Sequence, residues 1–241
     1  MPSERIRAGK PVNEISSRDV QVLVEAVAKR APKVARRLGG TIEQVLDRAQ
    51  LRGFIAADKR NPAAGAVKLL GAAPKVEHHA SMPYNEVGAF LERLYALTRG
   101  SFNIPALALS FLILTGTRRG ETCGALWAEI DLAQRLWIIP AERMKADRDH
   151  QVPLNDTAMA ILEIMAEQRR NENEFVFPGS APNTSVSGKS IERLLLRLGC
   201  KGKAVAHGFR TSIRGWAKTQ PFSFETCEEA LAHSVCHVTG L

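Results

Sequence analysis

Long apolar stretches are missing from this 241-residue chain. The longest, IPALALSFLIL at residues 104–114, falls well short of the roughly 20 residues that a helix needs to cross a bilayer. The opening MPSERIRAGK is charged and has no apolar run behind it, which excludes a secretory leader as the sequence stands. Cysteine is scarce: Cys123, Cys200, Cys227 and Cys236 are scattered without CxxC spacing. In a chain without an export signal these read as reduced thiols. The expectation is a soluble cytoplasmic protein with no membrane association. Internal repeats and low-complexity tracts are absent, as is the acidic cluster that a metal-dependent nuclease uses. Carboxylates are the minority charge, with 25 Asp and Glu against 33 Lys and Arg and a net charge of +8. That excess suits a polyanionic partner and, alone, favours nucleic acid only modestly.

The apolar content of 45% is ordinary for a globular protein, enough for one large domain or for a small and a medium one. Ser16 or Ser17 can cap a helix over 19–29 with Val20, Val22, Leu23 and Val27 on its apolar side. After Pro32 a second helical pattern runs through Val34, Ile42, Val45 and Leu46 to about Gly53. The Gly39–Gly40 pair inside it counts against a single continuous helix. Periodicity then disappears from Asn61 to Met82, where Pro, Gly and Ala are frequent, as in an interdomain linker. A new helix is expected from Pro83, with Val87, Phe90, Leu91, Leu94 and Leu97 as its buried stripe. Further helices are expected over 107–114 and from Arg118 or Arg119. Short strand-like segments follow at 129–132, 136–139 and 151–154. Helical patterns return at 157–167, 190–198, 207–218 and 224–233. The fold class is therefore mainly α with a small antiparallel β-sheet, an α+β arrangement. Trp127, Trp137 and Trp216 are expected to fill the core.

Four separated places share one chemistry. They are Thr115-Gly116-Thr117-Arg118-Arg119-Gly120-Glu121, the turn carrying Lys145 in MKADRDHQVPL, the helix start His207-Gly208-Phe209-Arg210, and Leu231-Ala232-His233. A phosphodiester under attack gathers negative charge on its non-bridging oxygens. Guanidinium groups can clamp those oxygens by paired hydrogen bonds, and preorganised donors of this kind are usually the largest catalytic contribution. A lysine can give a proton to the departing hydroxyl, and histidines can move protons near neutral pH. Each residue also has a blander reading. Arg119 remains a solvated helix-start charge, and Arg143 and Arg148 are rival basic groups to Lys145. His233 could simply complement a helix C-terminus, while His78 and His79 are assigned to the linker. His233, Cys236 and His237 are too loosely spaced for a metal site.

TGTRRGE, MKADRDHQVPL, HGFR and LAH, in this order and separation, resemble the tyrosine recombinase family and, within it, the integrases of phages and integrated islands. VEHHASMPY at 76–84 looks like the linker before their catalytic domain, and RRLGGTIEQVLDRAQLRG at 36–53 looks like the end of their core DNA-binding domain. The resemblance covers nearly the whole chain. It implies a tyrosine recombinase catalytic fold preceded by a helical core-binding segment: a partial core-binding domain at 1–60, a linker at 61–82 and a catalytic domain at 83–241. It implies that Arg118 is the first catalytic arginine with Glu121 supporting it, and that Lys145 is the general acid on the β-hairpin. His207 and Arg210 match the family's HxxR pair, and His233 its second histidine. Such enzymes cleave and rejoin double-stranded DNA at attachment sites through a phosphotyrosine intermediate, without metal or other cofactor. Binding to DNA with self-association, or pairing with a full-length recombinase, follows from the same likeness.

The sequence departs from the family pattern in one respect central to activity. The family's nucleophile lies about ten residues beyond the LAH histidine, and the only tyrosines here, Tyr84 and Tyr95, precede Arg118. The resemblance also implies an arm-type DNA-binding domain at the N-terminal side, for which the sequence before residue 16 offers no match, as expected of a fragment. The expectation is a fragment, with a site able to bind phosphate but unable to form the covalent intermediate. Two alternatives are a non-catalytic DNA-binding remnant or decoy, and a metal-dependent nuclease using the histidines.

Overall fold

Ser16 starts the first helix as a capping box should. Its hydroxyl accepts the Asp19 N–H at 3.2 Å, and the Asp19 carboxylate accepts the Ser16 N–H at 2.8 Å. The computed structural model of the chain describes residues 9–72, 79–99, 101–144, 147–169 and 174–232. Two units, Met1–Glu77 and His78–Leu241, divide it.

In the first unit, α1 (Ser17–Ala28) packs against α2 (Pro32–Leu51). Val20 and Val24, one turn apart, meet Ala35 and Leu46 in a small core. Pro32 opens α2, a position where its missing N–H costs nothing. Contrary to the sequence expectation, α2 runs unbroken through Gly39–Gly40. The reason is a close approach: a Cβ on Gly39 would sit 2.9 Å from the Val67 side chain and within 4 Å of Val24. Glycine here admits a neighbour rather than ending a helix. The stretch from Asn61, within the expected linker, folds back along α2. Asn61 donates to the Glu43 carbonyl at 2.9 Å, Arg36 donates to the Leu70 carbonyl at 3.2 Å, and Ala63 and Ala66 are buried in this core.

The second unit is built around α4 (Ile104–Thr115). Asn103 caps it through the Ala106 N–H at 3.1 Å. Every residue from Ala106 to Ile113 is buried, so the helix is apolar on all sides, as a central helix must be. Around it lie α3 (Tyr84–Ala96), α6 (Asp156–Glu167) and α7 (Gly188–Arg197). Pro83 caps α3 instead of opening it, with Phe90 and Leu94 buried. The sheet is antiparallel in the order β1 (Ile130–Asp131), β2 (Leu136–Ile139), β3 (His150–Pro153), with Trp137 opposite Val152. On β2 the period-2 alternation is visible: Trp137 and Ile139 are buried and Ile138 faces out. The remaining helices are α5 (Arg119–Cys123), α8 (Gly208–Ala217) and α9 (Phe224–Ala230).

Among the tryptophans, Trp137 is fully buried against Phe111, their ring centroids 5.5 Å apart. Trp127 is half-buried. Trp216 corrects the core expectation: it is 44% exposed and packs at the surface against Phe222. No helix among the described residues is long and apolar enough to cross a membrane.

Candidate functional site

The end of α4 sets the site's first wall. Gly116 closes the helix in the left-handed conformation at φ 66°, its N–H bonded to the Leu112 carbonyl at 2.9 Å. The chain then turns through Thr117, buried and hydrogen-bonded to the Thr122 hydroxyl at 2.8 Å. This turn delivers Arg118 to the N-cap of α5. Glu121, three residues on and only 5% exposed, accepts the Arg118 backbone N–H at 2.6 Å and its Nη1 at 2.7 Å. One carboxylate therefore caps the helix and aims the guanidinium. Arg119 faces outward in an exposed ion pair with Glu192, which matches its bland reading.

The second wall is α8. His207 stands exposed at its N-cap, and Arg210, one turn inside, is 4% exposed. The Arg210 guanidinium donates to the carbonyls of Gly116 and Leu231. Arg118 Nη2 donates to the Ala232 carbonyl at 3.1 Å. Two arginines 92 positions apart in the sequence are thus brought together between the α4–α5 turn and the end of α9. Burial, reinforced by the neighbouring Arg118 and opposed by Glu121 and Glu228, lowers the Arg210 pKa to about 10. The group keeps its charge at neutral pH. A paired guanidinium site of this kind is suited to holding an anionic oxygen centre such as a phosphate.

Lys145 and His233 lie outside the described residues, as do Cys236 and His237. The flanking residues are placed: Met144 is buried, and Ala232 carries the carbonyl that Arg118 binds. Of the two basic rivals to Lys145, Arg143 is engaged elsewhere. It pairs with Glu129 and donates Nη2 to the Glu121 carbonyl at 2.7 Å, tying the start of this hairpin to α5. Arg148 is exposed. Among the described residues no group of three or more His, Cys, Asp or Glu gathers as metal ligands would.

One neighbour of the clamp was not singled out by sequence reasoning. His150, half-buried, opens β3 opposite Ile139. Its pKa is lowered chiefly by burial; Glu121 opposes this, and Arg210, Arg118 and Arg148 reinforce it. His150 thus shares the electrostatic environment of both arginines and their carboxylate. The string MKADRDHQVPL contained it, but a histidine at a strand start has no local signal separating a site residue from a core one.

The sequence profile of the phage integrase family matches residues 90–240. Prophage integrase IntZ of Escherichia coli (strain K12) is 34% identical over 233 residues, which cover 96% of this chain and 56% of IntZ. Prophage integrase IntA of the same strain is 32% identical over 225 residues, covering 92% of this chain and 52% of IntA. The chain therefore spans about half the length of the curated relatives it matches. Among solved structures, a lambda integrase tetramer bound to a Holliday junction has the same fold. Its TM-score is 0.66 at 19% identity, covering 98% of this chain and 70% of that one.

Proposed function

The chain belongs to the phage integrase (tyrosine recombinase) family, and we propose that it acts in site-specific DNA recombination, with Arg118, His207 and Arg210 gripping the phosphate at which strands are exchanged. The observation that carries this reading is the convergence of Arg118 and Arg210 beside the buried Glu121. Guanidinium groups held by fixed acceptors, one buried (Arg210) and one half-buried (Arg118), cost little to reorganise when charge develops on a phosphate. Glu121 supports Arg118, and Lys145 and His233 complete the set as general acid and second histidine by their sequence register.

The unit His78–Leu241 serves in this reading as the strand-exchange domain, and the first unit as a core-binding domain on double-stranded DNA. Fifteen Lys and Arg stand against eight Asp and Glu in residues 1–77, so most of the net positive charge lies there, as phosphate contacts require. Assembly of several copies on an attachment site, or pairing with a longer recombinase, is the partner arrangement that the relatives suggest.

A polypeptide of these 241 residues is proposed to bind DNA without forming the phosphotyrosyl link. Tyr84 packs near Gly215 on α8, five residues past Arg210. The Tyr95 pKa is raised, by burial first and then by Glu92. Both precede Arg118, and neither stands at the register of the family's nucleophile beyond the LAH motif. Binding to duplexes tiled across the DNA flanking its own gene, nicked and intact, tests both statements. Salt-sensitive binding with no protein–DNA adduct on a denaturing gel is expected. A covalent adduct would overturn the second statement, and no binding at low salt would overturn the first.

A further inference from the structure

Residues 79–82 form a short strap along the start of α8. The Ala80 carbonyl accepts the Val205 N–H at 3.1 Å. The Ala80–Ser81 backbone lies so close to Gly208 that a Cβ there would sit 2.1 Å from the Ala80 oxygen and 3.0 Å from Ser81 Cα. Ser212 donates its hydroxyl to the Met82 carbonyl. Gly208 and Ser212 lie one turn apart on α8 and Val205 stands just before it, so the strap is held at three successive points along the chain entering the helix. It delivers His79 to His207: the two rings meet edge to face, with centroids 5.0 Å apart and planes at 77°.

We propose that His79 is a positioning residue, whose ring holds the imidazole of His207 toward the clamp. The proposal rests on the reading of His207 as a phosphate-site residue. His207 is exposed at the N-cap of α8 and its side chain does not cap the helix, so what orients the ring lies among its other neighbours, of which His79 is one. His79 and His207 line one groove with Arg118, Arg119 and Lys201, and the groove's floor includes Leu195 and Ala206. Among the described residues the only carboxylate lining it is Glu192, paired with Arg119. An edge-to-face ring contact favours one orientation of the ring, and the preference is worth roughly a two- to tenfold bias between orientations.

Histidine-labelled protein allows a direct test by NMR, with the His207 ring signals assigned through His207→Gln. His79→Ala is expected to move those signals and to weaken binding to a nicked duplex roughly two- to tenfold. His79→Phe, which keeps the ring and loses both nitrogens, is expected to restore both. Unmoved His207 signals in His79→Ala would overturn the proposal. So would failure of His79→Phe to rescue binding, because His79 would then act through its own nitrogens. If His207→Gln leaves DNA affinity unchanged while His79→Ala still moves the His207 signals, the phosphate-site reading fails and the ring contact stands. Thermal melts of each variant show whether a change in binding reflects loss of fold.

Discussion

Gly208→Ala should loosen the helix that carries Arg210, and the structure sets the size of the effect. Gly208 requires glycine for space alone, because the atoms nearest its absent Cβ are backbone. They are the Ala80 oxygen at 2.1 Å, with Ala80 C and Ser81 Cα each at 3.0 Å. Backbone cannot swing aside as a side chain can, so either the strap or the helix start must move by roughly 1 Å to reach ordinary contact distance. Overpacking of this kind costs about 1–3 kcal/mol. The Val205 N–H to Ala80 hydrogen bond, stretched or broken by that movement, adds about 1 kcal/mol. Alanine's helix preference returns at most about 1 kcal/mol. The net expectation is a loss of about 1–3 kcal/mol, which for a urea slope of about 2 kcal/mol/M lowers the midpoint by roughly 0.5–1.5 M. Tryptophan fluorescence is the suitable probe, since Trp127, Trp137 and Trp216 all belong to the second unit. Gly88→Ala is the matched control: Gly88 lies inside α3 with nothing within 4 Å of where a Cβ would stand, so alanine there should stabilise by about 0.5–1 kcal/mol. A Gly208→Ala midpoint equal to or above wild type would refute the reasoning, because the strap would then not press on α8.

Glu121→Gln keeps the shape of the side chain and its acceptor for the Arg118 N–H, but removes the negative charge beside Arg118 and Arg210. Since Arg118 is 27% exposed and solvent screens part of the effect, a loss of about 1–2 kcal/mol is expected in urea denaturation. His150 gives a pH dependence. Its folded-state pKa lies below 6.5, so on acidification the unfolded chain takes up a proton before the folded one does. Its contribution is full above pH 6.5 and is lost as pH falls through the folded pKa. His150→Gln should therefore flatten the acid limb of a stability–pH curve below 6.5, and an unchanged limb would show that His150 titrates normally.

Much of this architecture is written locally in the sequence. The apolar run at 104–114 marks α4, though the helix begins three residues before the expected 107, at Ile104, and the spacing of Arg118 and Glu121 is a one-turn capping geometry that needs no tertiary information. The burial of Arg210 beside the α4–α5 turn had no local signal, since an arginine one turn into a helix is commonly solvated; only its company with His207 and Arg118 in the family motifs pointed to it. Features set by distant chain segments were not legible. Gly39–Gly40 looked like a break because the neighbour it admits, Val67, lies 28 residues away. Trp216 was expected in the core with the other two tryptophans, yet it lies at the surface beside Phe222. His150 and His79 gain meaning from groups that no local pattern joins to them.

In the proposed function Arg118, His207 and Arg210 grip one DNA phosphate. The most direct test is a scan in which each phosphate of a bound duplex is replaced in turn by a neutral methylphosphonate. Wild-type chain should lose affinity sharply at one phosphate, and Arg118→Gln and Arg210→Lys should blunt the loss at that same position while leaving the others unchanged. Losses spread evenly along the duplex, and equal in wild type and both variants, would contradict the account.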